Sequence, residues 1–196
     1  MPSEPLVLAF DTSAAHCAAA LLSGDRLVAA RHEDMAKGQA ERLMPLIEEM
    51  LAEAGVTWRD LSLIGVGAGP GNFTGIRIAV AAARGLSLAL NIPAIGIGAA
   101  EALAFGLPRP CRIIIPGKRG TAIWQDFNDT ATAPQQSPLD AMPPGPAVAT
   151  PLVSIAEGIA RLARSRAGTP QPRPAPIYLR PADAAPAKDR GPVILP

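Results

Sequence analysis

The residues most able to touch an anion or a partner backbone lie in Gly65-Val66-Gly67-Ala68-Gly69-Pro70-Gly71-Asn72-Phe73-Thr74-Gly75. Glycines let a backbone come close, and the free N–H groups opening a following helix attract negative charge. The spacing is not a dinucleotide fingerprint, because counting from Gly69 puts Thr74 where the third glycine is required. A P-loop is absent as well, since no Gly-Lys-Ser/Thr follows. Two readings stay open. One is a structural strand-to-helix turn capped by Asn72 or Thr74. The other is an anion or partner site using Gly69, Gly71, Asn72 and Thr74.

Asp11-Thr12-Ser13 closes an apolar run, where sugar-kinase and actin-like folds hold an acidic residue and a hydroxyl near metal-bound phosphate. Asp and Ser are also ordinary turn residues, and that plainer reading is favoured. The two histidines, His16 and His32, sit on or beside expected strands and form neither His-x-x-x-His nor His-Glu-x-x-His, so no clustered zinc ligands are expected. Gly85-Leu86-Ser87-Leu88-Ala89 lacks the second glycine of a nucleophile elbow and lies within an expected helix, which argues against a Ser/His/Asp hydrolase. Cys17 and Cys111 lie in apolar stretches and read as reduced, buried thiols.

These residues need a scaffold. Leu6–Phe10, Cys17–Leu22 and Arg26–Arg31 read as three strands, the last two joined by a turn at Ser23-Gly24-Asp25. Gln39 to Ala54 reads as a helix, although Pro45 fits only near a first turn and so predicts a later start or a bend. A strand at Leu61–Gly67, a helix from about Gly75 to Leu90, a strand at Ala94–Ile97 and a short helix over Ala99–Phe105 follow. Three strands, then helix, strand, helix and strand, predict an α/β fold with a mixed sheet, the ribonuclease-H-like unit. Beyond it, Cys111–Ile115 and Thr121–Phe127 read as strands and Leu152–Arg166 as a helix, an abbreviated second domain.

Composition supports a boundary near residue 106. Residues 1–105 hold 5 prolines, with 7 basic against 11 acidic side chains, whereas residues 106–196 hold 17 prolines, with 11 basic against 6 acidic. The expected domains are therefore 1–105, compact and acidic, and 106–196, shortened and Pro-rich, with Thr130–Pro151 a linker or mobile loop. The net charge of +1 argues against a free-standing nucleic-acid binder. The N-terminus has no basic region, and Ile76–Ala100 is interrupted by Arg77, Arg84, Asn91 and Pro93, so the expectation is a cytoplasmic protein with no membrane contact.

Gly75, Ala79, Ala83 and Ser87 recur every four residues along the second helix, with Ile76, Val80 and Arg84 beside them. Leu43, Leu46, Ile47 and Met50 give the first helix a wide apolar arc. One small-residue stripe packs readily on its own sheet. Two adjacent helices with wide apolar arcs predict a surface shared with another protein, using those eleven residues. In the tail, Tyr178 among Arg173, Arg180, Lys188 and Arg190 reads as extended packing on the domain, with a contact to RNA or a partner the less favoured reading.

Leu8-Ala9-Phe10-Asp11-Thr12-Ser13, Leu43-Met44-Pro45, Gly69-Pro70-Gly71-Asn72-Phe73-Thr74-Gly75-Ile76-Arg77, Gly85-Leu86-Ser87-Leu88-Ala89, Ile95-Gly96-Ile97 and Tyr178-Leu179-Arg180 resemble the TsaB (YeaZ-like) family. The likeness is nearly continuous over residues 6–105 and patchy afterwards. Asn72 stands where the family usually has serine, and Pro116-Gly117 where relatives often carry an acidic residue. The resemblance implies an actin-like ATPase fold and a non-catalytic scaffold subunit for making N6-threonylcarbamoyladenosine at adenosine 37 of tRNA. It would pair through its first two helices with the homologous TsaD subunit and work with the ATPase TsaE. ATP and metal would sit on those partners, tRNA would be met only through the complex, and a homodimer would form when the partner is absent. The alternative is a superfamily enzyme, an ATP-dependent phosphotransferase or a glycoprotease-like peptidase.

Overall fold

The computed structural model describes residues 4–179; the basic tail positions Arg180, Lys188 and Arg190 lie outside them. The elements in order are β1 (Leu6–Asp11), β2 (His16–Ser23), β3 (Arg26–Asp34), α1 (Gln39–Glu53), β4 (Leu61–Gly67), α2 (Phe73–Leu90), β5 (Ala94–Ile97), α3 (Ala99–Leu103), β6 (Cys111–Pro116), β7 (Thr121–Phe127), β8 (Gln135–Pro138) and α4 (Ile155–Ser165). β1, β2 and β3 form an antiparallel meander, and β4 and β5 add in parallel beyond β1, giving the order β3-β2-β1-β4-β5. That mixed order is the expected ribonuclease-H-like unit.

Every residue of β1 from Val7 onward is buried, as a central strand covered on both faces requires. On one face Leu8, Phe10, Ala19 and Leu21 meet Leu43, Ile47 and Met50 of α1 and Ile76, Ala79, Val80 and Ala83 of α2. Burying each large side chain in this set stabilises the fold by about 2 kcal/mol. α1 runs from Gln39 straight through Pro45, correcting the expectation of a later start. Pro45 and Glu41, the residue whose carbonyl loses its helical donor, both lie on the solvent side, so that carbonyl is open to solvent while Leu43, Leu46 and Ile47 hold the turn to the sheet.

The other face, carrying Val7, Ala9, Ala18, Ala20, Leu22 and Leu63, is covered by Ile155, Ala156, Ile159, Ala160 and Ala163 of α4. α4 starts where the Ser154 hydroxyl accepts from the Glu157 N–H at 3.2 Å, and Glu157 pairs with Arg161 one turn later. A cut at residue 105/106 therefore separates the first sheet from the helix that covers half of it, and the two expected domains are interleaved through α4.

The remaining strands form an antiparallel sheet ordered β6-β7-β8. Its third strand falls within Thr130–Pro151, which corrects the expectation of a linker. Polar contacts fix this stretch: Trp124 Nε1 donates to Ser137 Oγ at 3.1 Å, and Arg112 binds Asp126 through Nε and Nη2 at 2.5 and 2.8 Å while donating to the Pro143 carbonyl at 2.7 Å. With its side chain nearly buried, this bidentate pair is satisfied on both sides, as a buried ion pair must be. α2 has the length and hydropathy of a membrane span, 18 residues with mean hydropathy 1.4, but its apolar residues Ile76, Ala79, Val80 and Ala83 face the sheet.

Candidate functional site

The turn after β1 and the glycine-rich loop before α2 lie directly against each other. Thr12 Oγ1 donates to the Gly75 carbonyl at 2.7 Å, and the Asn72 N–H donates to the Ser13 carbonyl at 2.6 Å. A methyl group on Gly75 would overlap the Thr12 carbonyl oxygen, one on Gly71 the Ser13 carbonyl oxygen, and one on Gly67 the Asp11 carboxylate. The glycines are there because the chain's own backbone occupies that space. Asn72 caps α2, its Oδ1 accepting from the Thr74 and Gly75 N–H groups at 3.0 and 3.3 Å. The structural reading of this loop is thereby accounted for. Gly75 is buried under Thr12, while Gly71 and Thr74 are exposed at the rim.

Asp11 is fully buried, and its Oδ2 accepts from the Ser13 N–H at 3.0 Å, the Ser13 hydroxyl at 2.9 Å and His16 Nε2 at 2.7 Å. Its Oδ1 has no hydrogen-bond partner and points toward Gly67. Thr12 and Ser13 are buried with it, so the three expected anion-proximal residues form an internal network.

The expected partner surface needs correction. Leu43, Leu46, Ile47, Met50, Gly75, Ile76, Ala79, Val80 and Ala83 are all buried within their own chain. The small-residue stripe packs toward the sheet because α2 must approach the Asp11–Ser13 turn closely. Arg84 is exposed, and Ser87 is half-buried with its hydroxyl donating to the Ile92 carbonyl at 2.6 Å. The outward side of α2 presents Phe73, Arg77, Ala81, Arg84, Gly85 and Leu88, with Leu88 85% exposed. Arg77 lies over the Phe73 ring, 3.8 Å from its centroid, and its Nε donates to the Tyr178 hydroxyl at 2.9 Å. Tyr178 thus packs along the domain surface as the plainer reading expects. Of this outward strip sequence reasoning named only Arg84, because α2 is apolar nearly all round and the stripe of small residues drew attention to the inner side.

The meander also unites residues that sequence spacing kept apart. His16 and His32 have ring centroids 4.9 Å apart and line a cavity of about 310 Å³ with Ser13, Pro70, Ala99 and Ile115. Among the described residues, no group of three or more His, Cys, Asp or Glu is arranged to hold a metal. Cys17, on the opposite face of β2, has its thiol pushed up to about 11, first by burial and then by Glu33, which makes it a poor nucleophile.

The strand order β3-β2-β1-β4-β5, an antiparallel meander extended by two parallel strands, places the chain in the ribonuclease-H-like class of α/β folds. Residues 32–141, more than half of the chain, match the family model described as TsaD: tRNA N6-adenosine threonylcarbamoyltransferase. A solved structure titled YeaZ from Pseudomonas aeruginosa is 25% identical, with a TM-score of 0.73 over 89% of this chain and 100% of that one. The tRNA threonylcarbamoyladenosine biosynthesis protein TsaB of Buchnera aphidicola is 32% identical over 62% of this chain, a match spanning 60% of that relative's length. An uncharacterized protein of Mycobacterium bovis is 30% identical over 92% of this chain and 94% of its own length. The chain belongs to the TsaB/YeaZ family, within the homologous group that the family model covers.

Proposed function

We propose that this protein is a non-catalytic scaffold subunit in the synthesis of threonylcarbamoyladenosine in tRNA, and that it pairs with a TsaD homologue through the outward side of α2. The observation that carries this reading is surface left over after folding. α2 spends Ile76, Ala79, Val80 and Ala83 on its own sheet, yet still exposes Leu88, Phe73, Ala81 and Gly85 beside Arg77 and Arg84. An apolar centre flanked by arginines is the composition of a binding patch. Gly85, where an added methyl group would meet nothing within 4 Å, lets a partner helix approach closely. Support for a scaffold role comes from the first turn, where Asp11 Oδ2 is engaged by Ser13 and His16 and the glycine loop is closed against Thr12 and Ser13. On this reading ATP and the reaction's metal sit on the partner subunits TsaD and TsaE, tRNA is met through the assembly, and a second copy occupies the same strip when the partner is absent.

The test is Leu88→Arg. Its side chain is solvated, so the melting curve stays that of the unaltered protein, while co-purification with the TsaD homologue is lost and threonylcarbamoyladenosine in cellular tRNA falls. Undiminished pairing together with an unchanged modified-nucleoside level would remove the basis for this assignment.

A further inference from the structure

We propose a binding site for a divalent transition-metal ion of the zinc, nickel or copper type at His16 and His32, with the two imidazoles as ligands and water or a small ligand completing the shell. The first support is register. The pairs Leu22↔Leu27 and Ser23↔Arg26 set one register beside the turn, and continued unchanged it would put His32 opposite Cys17, on the other face of the sheet. A register shift between Leu21 and Leu22 instead pairs Ala18 with His32 and His16 with Asp34, which brings both imidazoles to one face as diagonal neighbours. Their centroids are 4.9 Å apart. Two imidazoles on one tetrahedral ion, each nitrogen about 2.0 Å from the metal, have centroids roughly 5 Å apart.

The second support is that each ring already has an orienting carboxylate. His16 Nε2 lies 2.7 Å from Asp11 Oδ2 and His32 Nε2 lies 3.2 Å from Asp34 Oδ1. A carboxylate only accepts, so each Nε2 carries a proton, and in the neutral ring Nδ1 is the nitrogen left to bind a metal. Carboxylate–histidine pairs of this kind fix the tautomer of metal-binding imidazoles and make them better donors. Two carboxylates beside the two imidazoles also favour a dication over an anion. Access is available: His16 is nearly buried, but the His32 side chain is 47% exposed, and both line the cavity of about 310 Å³ shared with Ser13 and Ser154. With two protein ligands, one fewer than an open zinc site ordinarily has, the remaining positions are left to water or a small ligand.

The site stands apart from the pairing strip on α2, so its test is independent of the assignment above. The full chain, stripped with chelator, is titrated with Zn²⁺ by equilibrium dialysis and with Co²⁺ by visible absorption. The expected result is one equivalent bound, an affinity at least tenfold lower in His32→Ala with unaltered circular dichroism, and retention in a Cys17→Ser, Cys111→Ser double variant. Asp34→Asn should weaken binding less than His32→Ala, because it removes a supporting carboxylate and keeps both ligands. Acidification should release the ion, since a metal-binding nitrogen must be unprotonated. No binding at millimolar Zn²⁺, or binding that His32→Ala leaves unchanged, overturns the proposal.

Discussion

The two faces of the five-stranded sheet are covered in opposite ways. On one, α1 and α2 come from the sequence immediately around their strands, and α2 keeps a whole side in solvent, from Phe73 through Arg77 and Ala81 to Leu88. On the other, α4 arrives from residue 155 and is enclosed, with Ser165 its one exposed residue. A helix with every residue but its last at least half-buried completes a core, whereas a helix with one side exposed can also serve as a surface. The contrast makes α4 a completing part of the core and leaves α2 the surface on which the proposed pairing relies, although both are short on large side chains where they meet the sheet.

The most severe way to break this contrast is to remove the enclosed helix. A chain ending at residue 105 keeps α1 and α2 but leaves Val7, Ala9, Ala18, Ala20, Leu22 and Leu63 without α4. An independent N-terminal domain would melt cooperatively. The interleaved fold predicts no cooperative transition by circular dichroism, together with binding of a hydrophobic dye. A sharp melt would restore the boundary drawn from composition.

Next in size is a matched pair of glycine substitutions. Gly158 in α4 faces the backbone of α3, and a methyl there would overlap the Ala102 carbonyl oxygen, whereas Gly85 in α2 has open space around it. Gly158→Ala is expected to destabilise by about 2 kcal/mol, as overpacking does. Gly85→Ala is expected to stabilise by about 0.5–1 kcal/mol, the ordinary helix preference for alanine. Denaturant unfolding of both variants reads the difference, and two effects of the same sign would erase the distinction between the helices.

How much of this was readable in advance follows the same division. The strands β1 to β5 and the helices α1 and α2 stand out because apolar periodicity and glycine turns report local structure. The docking of α4 does not, since Ile155, Ile159 and Ala163 mark an apolar face without naming the sheet it will meet. β8 escaped because Gln135-Gln136-Ser137-Pro138 has no alternation of apolar and polar residues; Trp124 and the β7 backbone hold it. At the candidate site, the glycine loop was found, but its crowding by Thr12 and Ser13 is a tertiary fact. The histidine pair depends on a single register shift in β2 and β3, which spacing from the turn would place on opposite faces.

The smallest expected effect concerns how each face is strapped. α4 is tied to its surroundings by Arg164 to Asp25 and Arg166 to Glu101, and α1 is tied to β3 by Arg42, which donates to Glu33 at 2.6 and 2.7 Å and to Glu49 at 2.7 Å. Hydrogen bonding to Arg42 holds both the Glu33 and the Glu49 carboxyls below their ordinary value of 4.5. Because the folded-state values are depressed, the stabilisation is present above pH 4.5 and is lost as the pH falls through those lowered values. These groups face water, so the contribution is small and screened by salt. Arg42→Met should lower Tm slightly at neutral pH and low ionic strength, and the gap from the unaltered protein should close as the pH drops well below 4.5. A gap that stays constant across that range would mean that Arg42 acts through the packing of its aliphatic stem, and that charge does not strap this face.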